Sequence, residues 1–181
     1  MNIQKLTNPK SELYSKFKTF ALSSEFAWYW HNSSTYKEYD ETKYYDIPFL
    51  SHNFLRSPAT HSKGIKISEV NSEYVQIAAN LFLEILAHNN IAVNAFFRIN
   101  ANCVLPLSKT ISTVPHVDHM FPHKNVLIYL TSAGGRIIVG EDLFDPKEDD
   151  VILFEGLEHH HEVPKVTATY NRRIALVATF F

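Results

Sequence analysis

The residues of this sequence best suited to chemistry lie toward its C-terminal end, where histidines, an aspartate and two arginines follow one another. His116-Val117-Asp118 comes first, His159-His160-His161 follows, and Arg172-Arg173 comes last. Two imidazoles and one carboxylate form a ligand set for Fe(II) that leaves coordination positions open for reactants. A downstream arginine supplies a forked cation that binds a carboxylate through two hydrogen bonds. This order predicts a metal centre beside a carboxylate-binding site.

The histidines leave the ligand set incompletely specified. His116 and Asp118 are two residues apart, so on an extended segment both side chains point to one face and can hold one ion. The pair alone is a weak signal, because a loop histidine after Pro115 would look the same. Adjacent strand residues point to opposite faces, so the run His159–His161 cannot place all three rings on one metal. The residues themselves leave open which histidine binds, or whether the run is a solvated loop.

The arginines pose a similar choice. Arg172 and Arg173 precede the apolar segment Ile174-Ala175-Leu176-Val177, which is expected to be a strand. Both faces of that strand are apolar, so alternation does not decide which arginine points inward. Two solvated charges at the start of a strand are the alternative interpretation.

The composition indicates a globular protein with a β-rich core. The 181 residues are 45% hydrophobic and 20% charged, which suits one ordinary folded domain and argues against disorder. Thirteen Phe and nine Tyr against five Gly favour aromatic packing on strands.

Several function classes are disfavoured. The net charge of −2, without a Lys/Arg-rich run, provides no electrostatic footprint for nucleic acid. No apolar stretch approaches the length of a membrane span, and the polar segment Met1–Lys10 lacks the apolar region of a signal peptide. The single Cys103 is expected to be a core residue in a reducing compartment. We therefore expect a cytoplasmic protein that binds neither nucleic acid nor membrane, with its oligomeric state left open.

The elements that must position the chemical residues differ between the two halves of the chain. Apolar residues at three- and four-residue intervals predict a helix over Ser68–Ala87, capped by Ser68 or Asn71 and ended at His88-Asn89-Asn90. From Ile91 onward, short apolar segments separated by turns predict strands. They are expected at Ala92–Cys103, Asn125–Leu130, Arg136–Val139, Val151–Phe154 and Arg173–Phe181.

These elements predict a mainly β fold with N-terminal helical support (α+β), with a jelly roll, or double-stranded β-helix, as the architecture. We expect a single domain over 1–181. Residues 1–90 would form helical and loop support with substrate-side elements, and residues 91–181 would form the jelly-roll core with the metal and co-substrate site.

A set of ordered segments in the second half carries a resemblance to a known family. They are His116-Val117-Asp118, Leu127-Ile128-Tyr129-Leu130, Gly134-Gly135, Phe154, His161-Glu162-Val163-Pro164 and Arg173-Ile174-Ala175-Leu176. Together they resemble the Fe(II)/2-oxoglutarate-dependent dioxygenases, in particular the prolyl-4-hydroxylase-like branch with its small bacterial and phage relatives. The resemblance covers about Phe96 to Phe181.

The resemblance implies roles for individual residues. His116, Asp118 and one distal histidine would hold the metal. The family's distal motif, in which Val and then Pro follow, selects His161 ahead of His160 and then His159. The basic residue two positions before a small residue would be Arg173 rather than Arg172.

Other implied contacts concern the co-substrate. Many relatives carry Ser or Thr where this chain has Ala175, so a hydroxyl contact to the co-substrate carboxylate is missing here. Tyr129 matches a position whose hydroxyl binds that carboxylate, although a packed strand aromatic is an equal alternative. Arg98 and Asn100 share one face of their strand, and an outward polar face is the favoured interpretation. The resemblance adds that they could touch co-substrate or substrate.

The implied activity is hydroxylation of a C–H bond with Fe(II), 2-oxoglutarate and O2, since Asp118 is retained where halogenating relatives lack a carboxylate. The substrate would be a small molecule, or a free or peptidyl amino acid such as proline. The alternatives are a cupin-like metal-binding jelly roll without 2-oxoglutarate and a non-catalytic β-sandwich binding module. The cupin pattern of H-x-H with a nearby Glu differs from His116 and Asp118. A nucleic-acid demethylase is disfavoured because no second arginine follows Arg173 at the family's spacing.

Overall fold

The computed structural model describes residues 2–34, 40–57, 67–164 and 172–181. Thirteen strands and two helices follow one another along these residues. They are β1 (Ile3–Leu6), α1 (Glu12–Leu22), β2 (Tyr29–His31), β3 (Tyr44–Tyr45), β4 (Phe49–Arg56), β5 (Glu69–Val70), α2 (Val75–His88), β6 (Phe96–Val104), β7 (Ser112–Thr113), β8 (Lys124–Tyr129), β9 (Ile137–Val139), β10 (Asp142–Phe144), β11 (Val151–Glu155), β12 (His159–His161) and β13 (Arg173–Phe180).

A large antiparallel sheet dominates the fold. Its strand order is β1-β11-β8-β13-β6-β4-β2, with β5 paired to β4. A second sheet has the order β10-β9-β12, and β3 pairs with β7 in parallel. The fold is the predicted jelly-roll type: mostly strand, with two helices contributed by the first half of the chain.

The two helices cover one face of the large sheet. Ser11 caps α1, where its Oγ accepts the Tyr14 N–H at 3.1 Å. Each helix buries side chains at three- and four-residue intervals against the apolar face of the sheet. In the part of the chain that the structure describes, no helix is long and apolar enough to cross a membrane.

The helix predicted over Ser68–Ala87 begins later than expected. Glu69–Val70 instead forms β5 on the edge of β4, and the Asn71 N–H donates to the Phe54 carbonyl. The predicted end at His88-Asn89-Asn90 agrees with the structure, where Asn89 is the C-cap and Asn90 has a φ of 57°.

Asp149 fixes α1 to the turn before β11. Its carboxylate accepts from the Tyr14 hydroxyl and from Lys18 Nζ, each at 2.5 Å, and pairs with Lys10 Nζ at 2.7 Å. Burial by itself would raise the pKa of Asp149, but the hydrogen bonds from Lys10, Lys18 and Tyr14 lower it to about 2.

The alternation of β13, a central strand, separates two environments. Ile174, Leu176, Ala178 and Phe180 join the core under the helices. The intervening side chains face the opposite side of the sheet, where Ala175 belongs to a second apolar cluster with residues of β8, β9 and β11. Both faces of β13 are buried, which explains why its sequence shows no polar face.

The register across the large sheet aligns rows of side chains on this second face. One row joins Ser51, Asn102, Ala175 and Tyr129, on β4, β6, β13 and β8 in turn. The neighbouring row joins Asn53, Asn100, Val177 and Leu127. Since directly paired residues point to the same face, these rows form one wall of a cavity.

The expected division at residue 90 differs from the observed sheet. β1, β2 and β4 come from the first half and pair with β11 and β6 of the second half, so the jelly-roll sheet is not confined to residues 91–181. β1 and β2 are only 4 and 3 residues long, which leaves little alternation to recognise in the sequence.

Candidate metal and carboxylate site

Three side chains with metal-binding atoms converge at one end of the cavity. His116, Asp118 and His159 each offer an atom within 4.8 Å of the others. His116 and His159 are directly paired across antiparallel segments, the N–H of each donating to the carbonyl of the other at 3.0 and 2.9 Å. Directly opposite residues share a face, so the two imidazoles project to the same side. The two-residue spacing brings Asp118 to the same place.

Backbone carbonyls determine which imidazole nitrogens are free. His116 Nδ1 donates to the Val114 carbonyl at 3.2 Å, and His159 Nδ1 donates to the Leu157 carbonyl at 3.0 Å. Both Nε2 atoms then carry lone pairs, and they lie 3.8 and 3.7 Å from the two carboxylate oxygens of Asp118. Imidazoles oriented in this way beside a carboxylate fit a divalent iron.

The charge states of these groups suit metal binding. Burial by itself would raise the pKa of Asp118, but the positive charge of Arg98, followed by His159 and His116, lowers it overall. Burial lowers the pKa of His159 to about 4, against the opposing effect of Asp118. At neutral pH Asp118 is ionised and His159 is neutral, which are the forms that bind metals.

The histidine that lies with His116 and Asp118 in the structure is His159. The sequence resemblance selects His161, whereas the structure groups His159 with His116 and Asp118. The reason is strand pairing: His159 lies opposite His116, while His161 lies two residues further along the same face of β12. The Val163-Pro164 motif is a local sequence feature, and it does not determine which histidine of β12 pairs with His116.

Two further candidates lie outside the group of metal-binding atoms, although His160 also borders the cavity. His160 lies on the opposite face of β12, and its ring packs edge-on against Tyr44 with 5.5 Å between ring centroids. Arg172 is exposed, and its Nη2 reaches the Leu22 carbonyl at 3.5 Å. Neither side chain joins the group formed by His116, Asp118 and His159.

Arg173 lies buried at the other end of the cavity. Its Nη1 donates to the carbonyls of Gly135 and Glu162, at 3.0 and 3.1 Å. No carboxylate pairs with it among the residues that the structure describes. Burial lowers the pKa of Arg173, and only Tyr129 opposes this effect. A guanidinium stays charged in proteins, so an anion bound here would compensate this buried charge.

Gly135 makes room for this guanidinium. A Cβ at residue 135 would lie 2.3 Å from the Glu162 carbonyl oxygen and 3.0 Å from Arg173 Nη1, whereas a Cβ at Gly134 would meet nothing within 4 Å. Both glycines have positive φ, 75° at Gly134 and 83° at Gly135. The predicted turn therefore also positions Arg173.

Tyr129 lies in the cavity beside the arginine. It pairs directly with Ala175 across β8 and β13, and its side chain is fully buried. Burial raises the pKa of Tyr129, partly offset by Arg173, so its phenol keeps its proton and can donate. The hydroxyl that the resemblance leads one to expect at Ala175 is absent from this row.

A single cavity of about 250 Å³ connects the metal-binding atoms to Arg173. Its wall includes the amide and hydroxyl side chains of Ser51, Asn53, Asn100 and Asn102, of which only Asn100 was a candidate from the sequence. Asn100 Nδ2 donates to Asn102 Oδ1 at 2.6 Å, and Asn100 Oδ1 is buried without a partner. The favoured expectation of an outward polar face on β6 was wrong, because the helices cover the other face and these residues line the cavity.

Arg98 contacts the candidate metal ligands directly. Its Nη2 lies 2.8 Å from Asp118 Oδ1, while the remaining oxygen, Oδ2, faces His159. His119 and His123, which follow Asp118 along the chain, are both buried. His119 Nε2 hydrogen-bonds the Thr179 hydroxyl at 2.7 Å.

Comparison with known proteins supports the fold assignment. No protein-family model matches the chain, and no curated protein does so. Among solved structures, it is similar to an oxidoreductase of the 2OG-Fe(II) oxygenase family from Burkholderia pseudomallei, with a TM-score of 0.64 and 15% identity over 99% of this chain and 84% of that one.

Two prolyl hydroxylases are also similar. The enzyme from Trichoplax adhaerens, in complex with a hypoxia inducible factor oxygen degradation domain peptide fragment, has a TM-score of 0.57 and 12% identity over 99% of this chain and 83% of that one. A prolyl-4-hydroxylase from Pseudomonas putida has a TM-score of 0.50 and 13% identity over 99% of this chain and 91% of that one. At these identities the likeness concerns the fold, and this chain has the fold of the 2OG-Fe(II) oxygenases and prolyl hydroxylases.

Proposed function

We propose that this protein is an Fe(II)- and 2-oxoglutarate-dependent dioxygenase that hydroxylates a C–H bond. One observation carries the proposal. The same cavity has two imidazoles and a carboxylate converging at one end and a buried guanidinium without a carboxylate partner among the described residues at the other. A co-substrate with a metal-binding group and a distal carboxylate would satisfy both ends.

The proposal assigns each end of the cavity a role. His116, Asp118 and His159 would hold Fe(II), and Arg173 with Tyr129 would bind the distal carboxylate of 2-oxoglutarate. When bound, Fe(II) would supply the activation of O2, with 2-oxoglutarate as the accompanying reductant. Leu127 and Val177 of the cavity wall would exclude water around the bound molecules.

The substrate would be a small molecule, or a free or peptidyl amino acid such as proline. The amide wall formed by Asn53, Asn100 and Asn102 offers both donors and acceptors to such a molecule. The peptide in the Trichoplax prolyl hydroxylase structure supports the peptidyl option by analogy.

The alternatives explain less of the cavity. A cupin-like site without 2-oxoglutarate would account for the metal-binding residues. It would give no reason for the buried charge of Arg173. A non-catalytic binding module gives no reason for two imidazoles with Nε2 directed at one carboxylate.

The test is binding, because turnover of 2-oxoglutarate can be slow without the true substrate. Titration calorimetry without oxygen should show Fe(II) binding to the wild-type protein and 2-oxoglutarate binding to the iron-loaded form. His116→Ala and His159→Ala should lose Fe(II), and the control His160→Ala should retain it. Arg173→Met should retain Fe(II) and lose most 2-oxoglutarate affinity. Succinate formation after admission of oxygen is the second readout, and a wild-type protein that binds neither molecule would refute the proposal.

A further inference from the structure

His161 is a half-buried polar side chain to which the proposed ligand set gives no role. It lines the cavity, and its Nε2 is shut off from solvent without a hydrogen-bond partner among the described residues. A buried donor or acceptor without a partner costs free energy, so such an atom is expected where a ligand completes the bonding.

The position of His161 lies between the two ends of the cavity. It shares a face of β12 with His159, and two residues along a strand span roughly 6–7 Å. The next residue, Glu162, accepts a hydrogen bond from Arg173 through its carbonyl at 3.1 Å. The strand therefore runs from the candidate metal ligands, past His161, to the guanidinium.

Thr113 supports one tautomer of His161. The Thr113 hydroxyl oxygen accepts the backbone N–H of His161 at 3.0 Å and lies 3.4 Å from His161 Nδ1. With that N–H bound, the hydroxyl hydrogen can point at Nδ1, which leaves the ring proton on Nε2. The side chain then presents a donor toward the cavity, next to a cation that cannot accept it.

We infer that His161 donates from Nε2 to the distal carboxylate of the bound 2-oxo diacid, together with Arg173, and so acts as a positioning residue. This inference rests on the proposed function. A five-carbon diacid spans about 5 Å between its end carbons, with C–C bonds of about 1.5 Å, which is compatible with the spacing along β12. The donor compensates for Ala175, which has no hydroxyl to offer in the same part of the cavity.

The experiment compares two ligands that share the metal-binding group. 2-Oxoglutarate and pyruvate are both 2-oxo acids, but only 2-oxoglutarate carries a distal carboxylate. Their dissociation constants are measured by titration calorimetry on Fe(II)-loaded protein without oxygen. His161→Phe should weaken 2-oxoglutarate about tenfold to a hundredfold, as expected for a hydrogen bond to a charged group, and leave pyruvate unchanged.

Three further variants sharpen the comparison. His161→Gln retains an N–H donor and should lose less 2-oxoglutarate affinity than His161→Phe, and it serves in its place if the phenylalanine variant fails to fold. Thr113→Val removes the hydroxyl that orients the ring and should produce a smaller loss of the same kind. His160→Phe, on the opposite face of β12, is the matched control and should bind both ligands like the wild type.

The outcomes separate the inference from the proposed function. Equal weakening of both ligands in His161→Phe, or no weakening of either, overturns the inference while the proposed function stands. Loss of Fe(II) from His161→Phe, with Fe(II) retained by His159→Ala, makes His161 the metal ligand and also overturns it. Wild-type protein that binds neither Fe(II) nor 2-oxoglutarate refutes the proposed function itself, and the inference with it.

Discussion

The contact between Arg98 and Asp118 allows a quantitative test of the metal centre. Arg98 Nη2 lies 2.8 Å from Asp118 Oδ1, and the Asp118 side chain is only 3% exposed. With an effective dielectric constant of about 20, two unit charges at this distance attract by about 6 kcal/mol before desolvation is counted. Breaking a buried pair by removing one partner typically costs about 3–5 kcal/mol, because the other charge stays buried. We expect Arg98→Met to lower the metal-free free energy of unfolding by about 3 kcal/mol, since the Arg98 side chain is 23% exposed and some water replaces it.

A divalent cation should change this loss. In Arg98→Met, a cation bound at Asp118 would neutralise the carboxylate in place of the missing guanidinium. The same cation would not be repelled by Arg98, as it is in the wild type. We expect the destabilisation to fall to about 1 kcal/mol with saturating metal. By linkage, the difference of about 2 kcal/mol corresponds to about thirtyfold tighter metal binding by the variant than by the wild type.

The assay is urea unfolding of both proteins with and without Mn(II), together with calorimetric titration of the metal. Arg136→Met is the control, because it removes an arginine paired to Glu162 at the surface. It should destabilise the protein less than Arg98→Met, and equally with and without metal. The reasoning would be refuted if Arg98→Met lost the same stability in both conditions, or if it bound the metal more weakly than the wild type.

Three further predictions concern the carboxylate end of the cavity and the fold. Gly134→Ala should cost about 1–2 kcal/mol in urea unfolding for its positive φ. Gly135→Ala should cost more, because its Cβ would also lie 2.3 Å from the Glu162 carbonyl oxygen, and only this variant should abolish calorimetric 2-oxoglutarate binding by displacing the guanidinium. Ala175→Ser places a hydroxyl beside Tyr129 and should tighten 2-oxoglutarate binding about fivefold in the same titration. The pKa of Asp149, about 2, is depressed, so its carboxylate stabilises the fold above its ordinary pKa near 4 and loses this effect as pH falls through 2. Thermal unfolding of Asp149→Asn should therefore show a deficit at pH 6 that closes between pH 4 and 2.

Each of these predictions has a contradicting result. Equal loss of 2-oxoglutarate affinity in the two glycine variants would show that Gly135 does not determine the position of Arg173. Unchanged or weaker binding by Ala175→Ser would show that the distal carboxylate of 2-oxoglutarate does not lie beside Tyr129. A constant deficit of Asp149→Asn from pH 6 to pH 2 would mean that its ion pairs contribute no stability.

The strands of the second half were predictable because their signals are local. The apolar run of β13 and the Gly134-Gly135 turn were read directly from residue types, and both match the structure. Cys103 is a buried core residue, as expected. The segment between Pro48 and Pro58 could be predicted only as a loop or a short strand, because the pairing partner of β4, β6, lies far along the chain.

The grouping of His116, Asp118 and His159 was only partly predictable for a related reason. The spacing of His116 and Asp118 is a local property, so their shared face could be expected. The choice between His159 and His161 depends on which residue of β12 pairs with His116, a register that no residue type in the run of three specifies. The inward direction of Arg98 likewise depends on the helices that cover the other face of β6.

The alternation along β13 has a consequence for how such a protein can diversify. Residues 173, 175, 177 and 179 face the cavity or its margin, while 174, 176, 178 and 180 anchor the helices. Substitutions at the odd positions can alter ligand preference with little effect on the packing beneath the helices, and the reverse holds at the even positions. Insertion or deletion of one residue within the strand would exchange the two sets, placing the guanidinium in the apolar layer and an isoleucine where an anion would bind. Variation in this strand is therefore expected to proceed by replacement of residues, with its length preserved.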